Sequence, residues 1–376
     1  MTVSLPHTRR LRVLFLTGFP AIGGPLPKLA PIMVEGLLRA GCEVAEEGWS
    51  AHSAAPESVA VKVRDRSRDL SHVRSRVRSW HPDVVFVATT HDWPALMRDV
   101  PLALALPSRM PLVLHFHGSK CDELGPPGRG AFTALSGWLV DHASAVLLLS
   151  KEEYVIWRRT CPRARFELVT NPYVPSVSRP KTRAPAAGAI IRPSTLLYVG
   201  RLVAEKGVFE LLDALSIARR SQSCRLVMAG VGPAEGDVRR RISLLGLADD
   251  VELRGYVTGN ELSRAYRDAD IFVLPSYREG FPLVVMEAMD YGLPVVTSPI
   301  RGCADHLVPN VNALFAPPRN AEALAAVLLR LLEDAALRER MGAANRAKVV
   351  EFAPDVVIPR YAEILRSVAG GPRSMK

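Results

Sequence analysis

The sequence predicts an α/β protein built from two doubly wound domains, each a parallel sheet with helices on both faces. Short apolar runs rich in Val, Leu and Ile alternate with longer amphipathic or polar stretches, which is typical of βαβ units. Two such series follow one another, separated by a proline-rich stretch. The length of 376 residues is also sufficient for two hydrophobic cores.

Five strands are expected in each half of the chain. They are Val13–Leu16, Val84–Ala88, Leu112–His115, Ala145–Leu149 and Phe166–Val169 in the first half, and Thr195–Val199, Arg225–Ala229, Val251–Leu253, Ile271–Leu274 and Pro294–Thr297 in the second. The prolines and basic residues between the two series indicate an exposed interdomain linker. We therefore place a first domain at 1–173, a linker at 174–193, a second domain at 194–353 and a C-terminal helix within 354–376. Two such domains facing one another would form a ligand cleft at the carboxyl ends of their strands.

Composition and cysteine usage indicate a globular cytoplasmic protein. Hydrophobic residues make up 48% of the chain and charged residues 23%. The five cysteines are dispersed and form no CxxC pair, so we expect free thiols in a reducing compartment, with no disulfide and no metal site. The apolar run after Arg12 is too short for a signal peptide, and no stretch approaches the ~18 apolar residues of a membrane span.

The net charge of +10 is distributed unevenly along the chain. Residues 1–190 contain 24 Lys and Arg against 16 Asp and Glu, an excess of +8 that leaves +2 for the remainder. Such a basic half suits an anionic partner, for example a phospholipid surface, a lipid phosphate or a nucleic acid. A solvated Arg-rich surface explains it equally well. Our expectation is peripheral contact with the inner face of an anionic membrane, or none, and no nucleic-acid partner.

One predicted helix combines an apolar stripe with many arginines. Leu70, Val73, Val77 and Trp80 fall at helical spacing, which argues for a face turned to the core. The rest of this segment carries Arg64, Arg66, Arg68, Arg74, Arg76 and Arg78. A basic amphipathic helix can lie on an anionic membrane, but the interpretation we favour is a surface helix docked on its own sheet.

Two carboxylates, Glu279 and Glu287, stand on either side of a predicted helix start. Glu279 follows the strand Ile271–Leu274 and a short turn, and Gly280-Phe281-Pro282 then opens a helix that contains Glu287. The free N–H groups of a helix start, together with the helix dipole, bind phosphate. Glu287 lies over one turn further along, where it is suited to ribose hydroxyls.

Two spaced cations follow the strand Thr195–Val199. The segment reads Gly200-Arg201-Leu202-Val203-Ala204-Glu205-Lys206-Gly207, a glycine turn that leads into a helix. Arg201 can fork onto phosphate oxygens and Lys206 adds a point charge. Together they would stabilise a departing nucleoside diphosphate without a metal ion.

Three further patterns are weaker when taken alone. Gly230-Val231-Gly232-Pro233 is a glycine turn after a strand, and Gly23-Gly24 lies in a loop after the first strand. His117 stands near the carboxyl end of another strand, where it either faces the cleft or satisfies a local backbone group. Asp268-Ala269-Asp270 matches a metal-binding DxD string, but capping of a helix is the better interpretation.

With these motifs, the chain resembles family 4 of the retaining glycosyltransferases, which have the GT-B fold of two Rossmann-like domains. The resemblance is strong over roughly residues 195–315. It is carried by Gly200-Arg201 to Gly207, Gly230 to Pro233, Leu274-Pro275-Ser276, Glu279 to Glu287 with Glu-Ala-Met, and Gly292-Leu293-Pro294-Val295-Val296. The early glycine loop and His117 extend it weakly into the first half. It implies that the helix from about Pro354 to Val368 crosses back onto the first domain.

The resemblance also implies a role for each matched position. Arg201 and Lys206 would hold the donor diphosphate, and Glu287 the ribose. Glu279 and the amides of Gly280, Phe281, Pro282 and Leu283 would hold the donor sugar, with His117 near the reacting sugar. Gly230 and Gly232 would belong to the donor site, Arg254, Tyr256 and Val257 would lie beside the base, and Gly23 and Gly24 would approach donor phosphate or acceptor.

The implied reaction is retaining transfer from a UDP- or GDP-linked sugar to a hydroxyl acceptor, with no metal or other cofactor. The acceptor is either a lipid-linked or polysaccharide glycan or a small natural product. The first half matches the family poorly, and Gly302-Cys303-Ala304-Asp305 departs from the usual Gly-x-Pro-Glu. Two alternatives are a degenerate protein that only binds sugar nucleotides and a dinucleotide-dependent oxidoreductase. The second expects a GxGxxG after the first strand, which residues 17–25 do not supply.

Overall fold

The structure is a computed structural model that describes residues 9–18, 25–49, 58–125, 130–175 and 193–370. The chain divides into two compact units. The first unit comprises Met1–Val174 and Phe352–Lys376, and the second comprises Pro175–Glu351. Each unit contains its own sheet of six strands, all of them parallel.

The first unit has the strand order β2-β1-β3-β4-β5-β6. Its strands are β1 (Leu11–Thr17), β2 (Cys42–Gly48), β3 (Val84–His91), β4 (Leu112–Ser119), β5 (Ala145–Leu148) and β6 (Phe166–Leu168), and its helices are α1 (Pro25–Arg39), α2 (Val59–Trp80), α3 (Trp93–Ala105), α4 (Ala131–His142), α5 (Lys151–Thr160) and α13 (Pro354–Gly370). Because side chains of a strand alternate in direction, the sheet supplies two cores. Leu14 and Leu16 belong to one core, and Val13 and Phe15 belong to the other.

The C-terminal helix α13 completes the second of these cores. Its buried residues include Ile358, Tyr361 and Leu365, which pack with the face of β1 that carries Phe15. The Tyr361 hydroxyl donates a hydrogen bond to the carbonyl of Thr170 over 3.0 Å. The last helix in the sequence is therefore part of the first unit, as the resemblance to the GT-B fold implies.

The second unit has the strand order β12-β11-β10-β7-β8-β9. Its strands are β7 (Ser194–Val199), β8 (Cys224–Ala229), β9 (Val251–Gly255), β10 (Ile271–Leu274), β11 (Val295–Thr297) and β12 (Ala313–Phe315), and its helices are α6 (Val208–Ala218), α7 (Glu235–Leu244), α8 (Gly259–Asp268), α9 (Leu283–Asp290), α10 (Arg301–His306), α11 (Ala321–Glu333) and α12 (Ala335–Val349). The chain passes from β7 to β8 and β9 on one side and places β10 on the other. The carboxyl edge beside β7 is therefore a topological switch point, where α/β sheets bind ligands.

The two strands that the sequence did not predict are both edge strands. β2 reads Cys-Glu-Val-Ala-Glu-Glu-Gly and is mostly half-buried, and β12 has only three residues. An edge strand is less covered than a central one, so its residues need not form a continuous apolar run. The ten predicted strands are all present, with ends shifted by up to four residues.

The arginine-rich segment forms α2 and docks on its own sheet, as its spacing predicts. Val73 and Val77 are buried in the core, and Leu70 and Trp80 pack against it. None of the helices in the described ranges is long and apolar enough to cross a membrane.

The Asp268-Ala269-Asp270 string lies at the C-terminal end of a helix. Asp268 is the last residue of α8 and Ala269 is its C-cap, whereas the N-cap is Thr258. The Asp270 carboxylate accepts a hydrogen bond from the backbone N–H of Thr195 over 2.9 Å, which ties the start of β10 to β7. The glycines Gly23 and Gly24 and most of the predicted linker lie outside the described residues.

Asn345 on α12 is a buried polar crosslink in the second unit. Its amide donates to the carbonyls of Leu293 (2.7 Å) and Asn312 (3.0 Å), and its Oδ1 accepts from Asn312 Nδ2 (3.1 Å). Asn345→Ala should lower the free energy of unfolding of this unit by about 2–4 kcal/mol, because several buried polar groups lose their partners. Arg340→Ala, at an exposed position of the same helix, is the control. Calorimetric scans that show equal shifts for the two variants would contradict the crosslink.

His91 makes the first unit sensitive to acid. Burial lowers its pKa to about 3, and its ring nitrogens lie 3.2 Å from Ser119 Oγ and 2.8 Å from Ser136 Oγ. Below about pH 6.5 the unfolded chain protonates this histidine and the folded chain does not. Stability should therefore fall by about 1.4 kcal/mol per pH unit between roughly pH 6 and pH 3 for this group.

Tryptophan fluorescence measures this effect on the first unit alone, because all five tryptophans precede residue 175. Urea midpoints at several pH values should show a shallower acid slope for His91→Gln than for the wild type. His72→Gln, on the exposed side of α2, serves as the control and should keep the wild-type slope. Equal slopes in all three proteins would refute the assignment.

Candidate functional site

Four loops of the second unit meet at the carboxyl edge of its sheet. They follow β7, β8, β9 and β10, which are neighbours in the sheet. The loops after β7 and β10 flank the switch point. These two loops carry Arg201 and Lys206 on one side and Glu279 on the other.

The side chains of Lys206 and Glu279 form an ion pair, although they are 73 residues apart in the sequence. The same carboxylate oxygen, Glu279 Oε1, accepts a hydrogen bond from the Ser276 hydroxyl over 3.0 Å. Both members of the pair are largely covered, with side-chain exposures of 26% and 12%. An ammonium group has three donors, so Lys206 can hold Glu279 and still contact an anionic ligand.

Arg201 supplies a cation that none of the described residues neutralises. Its side chain is exposed, and within the described ranges its guanidinium has no hydrogen bond or ion pair. Its backbone is fixed, since the buried Tyr198 hydroxyl donates to the Arg201 carbonyl over 2.6 Å. A fixed backbone with a free guanidinium suits the binding of an anion that arrives from solvent.

Tyr277 fastens the two loops together at a second point. Its backbone N–H donates to the carbonyl of Glu205 over 2.8 Å, next to Lys206. Its hydroxyl donates to Glu210 Oε1 on α6 over 2.5 Å. Burial and this hydrogen bond raise the pKa of Tyr277 to about 12, so the hydroxyl stays protonated and keeps donating at neutral pH.

Helix α9 begins directly beside this pair, at Leu283. Pro282 precedes it in extended conformation and has no N–H, so its expected contribution of an amide is wrong. In this stretch, Gly280, Phe281 and Leu283 carry a backbone N–H. The Phe281 side chain is buried and packs 4.7 Å from the His306 ring, so it anchors the loop rather than facing a ligand.

Glu287 lies one turn into α9 and is held by a tyrosine. The Tyr266 hydroxyl, from α8, donates to Glu287 Oε2 over 2.8 Å and also lies 3.3 Å from the Val284 carbonyl. Tyr266 itself is buried and stacks on Tyr291 with ring centroids 5.2 Å apart. The half-buried carboxylate is thus oriented before any ligand binds.

The glycines of this edge are needed for packing of one loop on another. A Cβ at Gly230 would overlap the Gly200 carbonyl, and one at Gly232 would overlap the Leu202 backbone. Gly207, with φ +69°, faces the Pro275 carbonyl in the same way. Backbone of a neighbouring loop therefore fills the space beside each of these three glycines.

The loop contacts continue to the end of β9. Gly230 N–H donates to the Gly255 carbonyl over 2.7 Å, which brings the residues after Gly255 to the same edge. Tyr256 is exposed and Val257 is half-buried. Arg254 is engaged by Glu252 Oε1 at 2.7 Å and Oε2 at 3.2 Å, so its guanidinium is already paired.

His117 belongs to the first unit, near the end of β4. Burial lowers its pKa to about 3, so the ring is neutral at physiological pH. Its Nδ1 is buried without a hydrogen-bond partner, and its ring lies 3.9 Å from that of His115. A neutral imidazole with a free nitrogen can exchange hydrogen bonds with a hydroxyl group.

Tyr277 and Tyr266 were not predicted as parts of this site, and Ser276 was matched only as a position in a family motif. A hydroxyl in an ordinary turn or helix acquires its role only from the carboxylate that the fold brings to it. Gly302 supports the same loop from behind, because a Cβ there would overlap the Gly280 carbonyl. Within the described part of the chain, no group of three or more His, Cys, Asp or Glu has metal-binding geometry.

Comparison with known proteins identifies the family. The sequence model of the glycosyl transferases group 1 matches residues 185–348. The glycogen synthase of Mycobacterium tuberculosis is 30% identical over 315 residues, which cover 79% of this chain and 71% of the relative. The amylovoran biosynthesis glycosyltransferase AmsK of Erwinia amylovora is 36% identical over 189 residues, 48% of this chain but only 46% of AmsK.

A solved structure agrees in fold over nearly the whole chain. Anabaena HepE, crystallised in complex with UDP and glucose, superposes with a TM-score of 0.70 at 18% identity, and the match covers 95% of this chain and 100% of HepE. This agreement extends over both six-stranded parallel sheets. The chain therefore belongs to the glycosyl transferases of group 1 and has the GT-B fold, with two Rossmann-like domains.

Proposed function

We propose that the protein is a retaining hexosyltransferase that moves a sugar from a nucleoside diphosphate to a hydroxyl acceptor. The observation that carries the proposal is the pairing of Lys206 with Glu279 near the start of α9, beside Arg201, whose guanidinium has no partner among the described residues. Two cations, a helix start and an oriented carboxylate meet at one sheet edge. HepE, which shares the fold, was crystallised with UDP and glucose.

The diphosphate of the donor is the group that this edge suits best. Arg201 can contact two phosphate oxygens at once, and Lys206 can add a donor while it keeps Glu279. The N–H groups at the start of α9 add partial positive charge, which also favours a phosphate group. These groups would stabilise the negative charge that develops on the leaving phosphate oxygen.

The two carboxylates would hold sugar hydroxyls rather than transfer protons. Glu287, oriented by Tyr266, would accept hydrogen bonds from the ribose. Glu279, oriented by Ser276 and Lys206, would accept them from the donor sugar. Retention of anomeric configuration is implied by the family resemblance. The leaving phosphate oxygen would take the acceptor proton, and neutral His117 would contact the reacting sugar by hydrogen bonds.

The acceptor belongs to one of two classes. A glycan is favoured by the relatives named for amylovoran and glycogen synthesis. A small hydroxylated natural product is the alternative. The further alternative of a non-catalytic sugar-nucleotide-binding protein is disfavoured, because Lys206 and Glu279 are both present and paired.

A panel of UDP- and GDP-sugars tests the proposal, with thermal shift and release of nucleoside diphosphate as the two readouts. At least one donor should stabilise the protein and be hydrolysed slowly in the absence of acceptor. Added EDTA should leave this turnover unchanged, since we assign the leaving-group charge to Arg201 and Lys206. If no sugar nucleotide or nucleoside diphosphate stabilised the protein, the proposed donor site would be wrong.

Lys206→Ala should reduce turnover of the best donor by at least ~100-fold, the scale of losing one stabiliser of transition-state charge. Lys348→Ala is the matched control, because Lys348 pairs with Glu351 over 2.8 Å on the surface of the same unit. Steady-state kinetics distinguish the two. If Lys206→Ala kept the turnover of the wild type, Lys206 would have no part in the mechanism.

Glu287→Ala should abolish discrimination between ribose and 2′-deoxyribose. The wild type should bind the ribonucleoside diphosphate about tenfold or more tightly than its 2′-deoxy form, the usual scale for a hydrogen bond to a charged group. In the variant the two affinities should be alike. Tyr266→Phe, which keeps the carboxylate but removes its hydroxyl partner, should give an intermediate ratio. An undiminished preference in Glu287→Ala, measured by titration calorimetry, would contradict the ribose assignment.

A further inference from the structure

Helix α3 of the first unit exposes large apolar side chains on its outer face. Trp93 is 44% exposed, Met97 66% and Leu104 68%. At 3.6 residues per turn these three positions lie within about 40° of one another around the helix axis. They therefore form one stripe, while the opposite face of α3 is buried in the core. Scattered apolar residues on a surface are ordinary, but a continuous stripe on one helix indicates a binding surface.

Helix α2 lies beside α3 and adds positive charge. The two helices pack against each other, and both connect parallel strands of one sheet, so they run in the same direction. Arg76 pairs with Glu47 of the edge strand β2 over 3.1 Å, which marks the side of α2 turned away from α3. Arg74 and Arg78 each lie about 200° around the helix from Arg76, on the side facing α3. Both are exposed, and within the described ranges neither has an ion pair or hydrogen bond.

Neither helix exposes a carboxylate. α2 contains seven Lys and Arg residues but only two acidic ones, Asp65 and Asp69, and both are buried against arginines of the same helix. The single acidic residue of α3, Asp99, is buried as well. Its partners are the Trp49 indole (2.8 Å), the Thr89 hydroxyl (2.6 Å) and the Arg98 guanidinium (2.7 Å). The outer face of the helix pair is thus apolar and cationic.

We propose that this α2–α3 surface, formed by Trp93, Met97, Leu104, Arg74 and Arg78, binds an anionic lipid bilayer. The apolar stripe would enter the boundary between headgroups and acyl chains, where tryptophan is favoured, and the arginines would contact lipid phosphates. The lack of an exposed carboxylate on both helices removes the repulsion that anionic headgroups would otherwise meet. The proposal is independent of the proposed donor chemistry, because every residue involved lies in the first unit.

Co-sedimentation of the full-length protein with vesicles tests the proposal. Equimolar phosphatidylglycerol and phosphatidylcholine should retain the protein at low salt and release it as salt rises, whereas pure phosphatidylcholine should retain little. The double variant Met97→Glu/Leu104→Glu should lower the vesicle partition coefficient at least ~10-fold, because two inserted apolar side chains are lost. Arg74→Ala/Arg78→Ala should lower it by about 25-fold, since each of the two cations near the surface contributes a factor of about five.

Leu244→Glu is the matched control, because Leu244 is 79% exposed on α7 of the second unit and should keep wild-type partition. The proposal is overturned if the wild type does not bind anionic vesicles, or if both double variants bind as the wild type does. A third outcome also overturns it: the wild type is a dimer that does not bind vesicles, and Met97→Glu/Leu104→Glu converts this dimer to a monomer. The surface would then contact a second copy of the chain. Nucleoside diphosphate binding, measured on the same samples, should be unaffected by every variant. If neither the wild type nor any variant bound a nucleoside diphosphate, the proposed function would be contradicted, whereas the result on lipid binding would still hold.

Discussion

The ion pair between Lys206 and Glu279 joins two loops that leave neighbouring strands of the second sheet. One loop follows β7 and the other follows β10, and the pair fixes both at the switch point where the chain reverses its direction across the sheet. Most other features of the site depend on this ion pair between the two loops. Tyr277 repeats the connection through the Glu205 carbonyl, and Ser276 fixes the carboxylate. A cation held in this way keeps its position while its remaining donors stay available for a phosphate group.

Close packing of the loop backbones allows the ion pair between Lys206 and Glu279 to form. Gly207, Gly230, Gly232 and Gly302 all stand where a side chain would overlap the main chain of a neighbouring loop. Their absence of side chains lets the loops of four strands converge within one narrow edge. The same motif glycines therefore serve the ligand indirectly, since they shape the loops that carry Arg201 and the start of α9. The requirement for glycine would persist even if the ligand were different.

The central strands and the charged residues of the site were predictable from the sequence, because buried strands are apolar runs and cations after a glycine turn form a local pattern. The edge strands β2 and β12 were not, since partial exposure interrupts the apolar run in β2 and β12 has only three residues. Nor was the partnership of Lys206 with Glu279, which joins positions far apart in the chain, or that of Tyr266 with Glu287. The burial of Asp65 and Asp69 in α2 was not predictable either, because a search for apolar periodicity assigns charged residues to the solvent-exposed face of a helix.

Titration calorimetry of nucleosides and nucleoside diphosphates tests the central claim, that Arg201 and Lys206 recognise a diphosphate. Uridine, UDP, guanosine and GDP would each be titrated into the wild type and into Arg201→Ala/Lys206→Ala. The account predicts that at least one diphosphate binds the wild type tenfold or more tightly than its nucleoside, and that this difference disappears in the double variant. A nucleoside that binds as tightly as its diphosphate, or a double variant that keeps the preference, would contradict it.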